Sequence, residues 1–129
     1  MDYHTFLGKV QNQARLPTTQ AAVTATRATL ETLAKRLHDG GTENLAAQLP
    51  EELGLYLKQA EPSVAFGLGE FFNQVGQREG VDLPDAVHHS RVVVAVLAEA
   101  VTAGEMQKIR AQLPDEYDPL FESGSEGSL

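Results

Sequence analysis

Residues 22–57 of this chain align without a gap on residues 86–121, at a constant offset of 64, and eleven of the 36 pairs are identical. The identities include Ala22/Ala86, Val23/Val87, Arg27/Arg91, Leu33/Leu97 and Gly40/Gly104. The block Ala-Gln-Leu-Pro-(Glu/Asp)-Glu occurs at 47–52 and again at 111–116. A repeat of this length describes one supersecondary unit that needs its copy to bury its apolar face. The match extends upstream, where Tyr3-x-x-Phe6-Leu7-x-x-Val10 resembles Leu68-x-x-Phe71-Phe72-x-x-Val75 at an offset of 65, with one residue gained or lost in the connecting loop.

The apolar residues of each unit fall at helical spacing. Tyr3, Phe6, Leu7 and Val10 predict a first helix to Ala14, stopped before Pro17. Thr18 or Thr19 caps a long helix reaching about His38, with Val23, Leu30, Leu33, Ala34 and Leu37 on its apolar face and Gly40-Gly41 ending it. Thr42 is expected to cap a short helix over 43–48, and Pro50 to start another. The second unit follows the same grammar: Ser63 capping a helix through Phe71 and Phe72, Pro84 at the start of a long helix, Gly104 ending it, then two short pieces split by Pro114. Val92-Val93-Val94 suggests a strand by propensity, but its counterpart in the first unit, Ala28-Thr29-Leu30, is helical. The expected fold is all-α, a bundle of about eight helices in one domain over 1–122. Its units cover about 3–58 and 64–121, with a disordered tail at 123–129.

Composition removes several function classes. The chain has no cysteine, which excludes disulfides, thiolate metal sites and cysteine nucleophiles. Its formal net charge is −8 and its cations are scattered, which argues against nucleic-acid binding. No apolar run approaches the roughly 20 residues that a membrane helix needs. The N-terminus lacks the pattern of a secretory signal, so a cytoplasmic setting is expected.

The doubled Ala-Gln-Leu-Pro-(Glu/Asp)-Glu block, the long helix with its arginine before it, and the ending Glu116-Tyr117-Asp118-Pro119-Leu120-Phe121 are similar to one family of prokaryotic proteins. From about Tyr3 to Phe121 the sequence resembles the DUF2267 family. The resemblance implies a bacterial, helical, cytoplasmic protein and carries over no catalytic residue.

Arg27 and Arg91 lie on or beside the apolar stripes of their helices, where a charge needs a partner. The repeated acids Glu51, Glu52, Asp115 and Glu116 are the expected partners, in structural ion pairs that lock the short helices onto the long ones; anion binding by the arginines is the functional alternative. Asp85, His88 and His89 at a helix start form an incomplete metal-ligand set, since adjacent histidines point about 100° apart on a helix. No serine lies in a nucleophile elbow, and Gly67-Leu68-Gly69 is too short for a dinucleotide fingerprint. Phe66, Phe71, Phe72, Tyr56, Tyr117 and Phe121 read as core rather than as a ligand pocket. The sequence therefore points to a non-catalytic helical scaffold or protein-interaction module. No cofactor is expected, and the partner is a protein or a second copy of the chain. The alternative is a small-molecule or metal binder using the cleft between the repeats.

Overall fold

The computed structural model describes residues 1–38, 40–59 and 65–122. Among them the chain is helical throughout, with no strand. The elements are α1 (Tyr3–Ala14), α2 (Thr19–Ala34), α3 (Gly41–Ala47), α4 (Glu51–Gln59), α5 (Leu68–Glu79), α6 (Leu83–Ala100), α7 (Ala103–Ala111) and α8 (Asp118–Phe121), with a 3-10 turn at Asp115–Tyr117 before α8. The expectations for Ser63 and for the tail at 123–129 fall outside the described residues.

Local chemistry sets most boundaries. Asp2 accepts from the Thr5 amide at 2.7 Å and caps α1. Thr18 caps α2 through the Ala21 amide at 3.0 Å, and Asp82 caps α6 through the Asp85 amide, with Pro84 in the first turn. Several ends differ from the sequence reading. α2 stops at Ala34 instead of His38, because the amides of Lys35, Arg36 and Leu37 bond carbonyls three residues back and tighten the exit. Thr42 does not cap α3; Gly40, at φ 80°, holds that position, and the Thr42 hydroxyl turns to Glu43. Gly104 lies inside α7 rather than ending α6: Val101 turns extended, and Thr102 caps α7 through the Glu105 amide. α5 begins at Leu68, because Gly67 is extended and the Glu116 side chain accepts from the Leu68 amide at 3.0 Å. The valine run 92–94 is buried inside α6, where burial on a broad face outweighs strand propensity.

The two long helices α2 and α6 pack on each other at the centre. α1 lies against α2 and α6, and α5 lies against α6 and α2, so each first helix bridges both long ones. Phe6, Leu30, Leu33, Phe71, Val75 and Leu97 fill the common core. Tyr117 closes it, edge-on to Phe71 at 5.9 Å, with its hydroxyl donating to the Phe66 carbonyl at 2.7 Å. Helix bounds keep the sequence offsets: α1 and α5 are both 12 residues long and start 65 apart, and their left-handed C-caps, Arg15 and Gly80, are also 65 apart. Gln48 accepts from the Thr102 amide and Gln112 from the His38 amide, each at 2.9 Å. Both the acceptors and the donors of those bonds stand 64 apart, which explains the glutamine in each repeated block.

Candidate functional site

Three features gather around the C-terminal end of α5. The first is a groove between α2 and α5 lined by Gln20, Val23, Thr24, Arg27, Glu31 and Arg78. Glu31 is the inner member, its side chain 14% exposed. Arg27 donates to it through Nε at 3.0 Å and Arg78 through a terminal nitrogen at 3.1 Å, one guanidinium per carboxylate oxygen. The Arg27 guanidinium also stands 5.8 Å from the centre of the Tyr56 ring.

The second feature is a buried pair between α5 and α6. His89 Nδ1 lies 2.5 Å from Glu79 Oε2, with the two side chains 9% and 4% exposed. Burial pushes the Glu79 carboxyl above its ordinary range; His89 pulls it back by charge and hydrogen bond, and Asp85 raises it further. The other oxygen, Glu79 Oε1, is buried without a hydrogen-bond partner among the described residues. The third feature is the elbow between the same helices, where Leu83 stands 50% exposed. It lines a shallow groove with Phe72, Asn73, Gly76, Gln77 and Val81. Gly76 lets the two helices approach closely there: an added Cβ would stand 3.1 Å from the Val81 carbonyl, so that carbonyl would have to give by a few tenths of an ångström.

The residues singled out in the sequence are distributed differently from the expectation. Arg27 is exposed and pairs with Glu31 on its own helix, not with Glu51 or Glu52. α4 packs on α2 with Leu53 and Leu57 buried and Tyr56 beneath the Arg27 guanidinium, leaving both acids of its first turn exposed. The charge of Glu52 is felt at Tyr3 instead, where burial and the Tyr56 hydroxyl push the phenol up to about 12. Glu116 caps α5, and Asp115 is exposed at the 3-10 turn. Arg91 is half-buried on α6. His88 is exposed and His89 is turned inward to Glu79, so Asp85, His88 and His89 do not converge. Among the described residues no group of three or more histidines and acids is placed to hold a metal ion. The aromatic residues serve mainly the core, with Arg36 lying over Phe66 and Tyr117.

Sequence reasoning missed Glu31, Arg78 and Glu79. Glu31 carries a signal, since it lies four residues beyond Arg27 on one helix face. Comparing the units marks the others: Arg78 and Glu79 stand where the first unit has Gln13 and Ala14, and His89 where it has Ala25. Leu83 stands where the first unit has Thr19, and Glu31 where the second has Ala95.

Helices, core and caps define a small protein that is all-helical among the described residues. The family described as "Uncharacterized conserved protein (DUF2267)" matches residues 3–120, and the chain belongs to it. No curated protein matches the chain. Among the described residues no helix is long and apolar enough to cross a membrane.

Proposed function

We propose that the chain consists of two copies of one helical unit and that it acts by binding, as a non-catalytic protein-interaction module. The second copy departs from the first around the α5–α6 elbow, and those departures carry the function. Support for duplication comes from the equal offsets of helix bounds, caps and the Gln48/Gln112 bonds.

The observation that carries the interaction reading is Leu83. It is half exposed at the first position of α6, beside the partly buried Phe72 and Val81. The fold gains little from leucine there, because Asp82 supplies the cap and the first unit starts its long helix with the polar Thr19. Apolar side chains grouped at an exposed elbow fit a docking surface. Asp82 and Asp85 stand exposed on either side, in a chain of formal net charge −8. The fitting partner is a protein presenting an apolar side chain flanked by basic residues. A second copy of this acidic chain fits less well. Affinity capture with wild type and with Leu83→Asp tests this. A basic-flanked partner held by wild type and lost by the variant, at unchanged melting temperature, is the expected result. Equal capture by both chains would count against the elbow.

A further inference from the structure

We propose that the α2–α5 groove is a binding site for a small oxyanion, a phosphate ester or organic carboxylate, held between Arg27 and Arg78. The inference goes beyond the interaction reading and uses none of the residues that line the elbow. Each guanidinium carries five N–H donors and gives one to Glu31, so four remain on each among the described contacts. The carboxylate is the inner layer, and the cations form the surface a ligand meets: the Arg27 side chain is 57% exposed against 14% for Glu31. Two guanidinium groups against one carboxylate leave the cluster with a single net positive charge, inside a chain of net charge −8. Glu31 bridges both arginines, one through each carboxylate oxygen, and so brings two guanidinium groups to one groove. Gln20 and Thr24 add polar side chains to the rim, and Val23 offers an apolar wall for the body of an ester.

A purely structural staple would not need this arrangement. The pair that ties α1 to α6, Lys9 and Glu99 at 3.0 Å, has its positional counterpart in Gln74 and Lys35 at 3.2 Å between α5 and α2, so the double-arginine cluster is additional to that staple. Ala95 replaces Glu31 in the second unit and Gln13 replaces Arg78 in the first, so the double-arginine cluster belongs to one groove only.

The test is an NMR titration of the full chain with inorganic phosphate, with phenyl phosphate, and with chloride at matched ionic strength, following the arginine Nε–H signals. Saturable shifts of Arg27 and Arg78 with both phosphates are expected, with phenyl phosphate binding several-fold tighter. Arg78→Gln and Arg27→Gln, both on the surface, should each weaken binding at least ten-fold while leaving the amide spectrum of the fold intact. Glu31→Gln should tighten it by about four-fold per negative charge on the ligand, the factor that Coulomb's law gives for removing one like charge about 5 Å away in bulk water. Shifts that are linear and equal to those of chloride would overturn the proposal. So would saturable binding that Arg27→Gln and Arg78→Gln leave unchanged.

Discussion

Removing His89 and Glu79 together should destabilise the protein by less than the sum of the two separate losses. The pair is buried, with side chains 9% and 4% exposed, and Glu79 already has one buried oxygen without a partner among the described residues. Taking one member from such a pair leaves an uncompensated buried group and costs about 3–5 kcal/mol. His89→Ala falls at the lower end, because Glu79 can escape by binding a proton. The escape grows as pH falls, so the deficit measured near pH 4 is smaller than that near pH 7.5. In Glu79→Ala/His89→Ala the same two positions hold alanines, as Ala14 and Ala25 do, fully packed, between α1 and α2. The double variant should therefore lose about 2–3 kcal/mol less than the sum of the single losses, the upper part of the range for contacting residues. Urea denaturation of the four chains closes the cycle. Additivity within about 0.5 kcal/mol would refute the reasoning, since it would mean that Glu79 and His89 do not depend on each other.

Glu79→Gln isolates the carboxyl's own titration. A carboxyl raised in the folded state stabilises fully below its unfolded value, near 4.5, and loses that contribution as pH rises through the folded value. The stability of Glu79→Gln relative to wild type should therefore improve as pH is raised from 4 to 8, measured as a difference in unfolding free energy. Arg15 occupies the left-handed region at φ 56° where its counterpart is Gly80. Arg15→Gly should gain up to about 1 kcal/mol and Gly80→Ala should lose about 1 kcal/mol, both read from chemical denaturation. Glu116→Ala removes the acceptor for the Leu68 amide and should cost about 1 kcal/mol, with faster hydrogen exchange confined to the first turn of α5. Gln48→Ala and Gln112→Ala should cost similar amounts, about 0.5–1.5 kcal/mol each, since the two glutamines make matching bonds.

Much of the fold was legible because it is written locally. The spacing of Phe6, Leu7 and Val10, the threonine at 18 and the proline at 84 each specify an element without help from the rest of the chain. Element ends were harder where a competing group decides them. Thr102 outcompetes Gly104 at the α6–α7 junction because a side-chain cap needs only a bend before it. Leu68 starts α5 because an acid 48 residues away reaches its amide, a contact that no local pattern reveals.

The site was less legible for a geometric reason. A helical wheel places Arg27 near the apolar stripe but does not tell which neighbour covers that edge. Tyr56 of α4 does so, and the acids of α4 remain outside. Glu79 and His89 meet across a turn whose register depends on Gly80 at φ 78°, so periodicity within either helix leaves the pairing open. The departures between repeat units were visible throughout: two alanines exchanged for a glutamate and a histidine, a glutamine for an arginine, and a threonine for a leucine. The first unit packs without any of them, with Ala14 and Ala25 buried at the matching positions.

That last statement is the centre of the account, and a single melting comparison tests it. The variant Arg78→Gln/Glu79→Ala/His89→Ala puts the first unit's residues into the second. In phosphate-free buffer it should still melt cooperatively, at a temperature lowered in proportion to the loss expected for Glu79→Ala/His89→Ala. Added phosphate should raise the melting temperature of wild type, by mass action on the folded state, and leave the variant's unchanged. A variant that fails to melt cooperatively, or one stabilised by phosphate as much as wild type, would contradict the account.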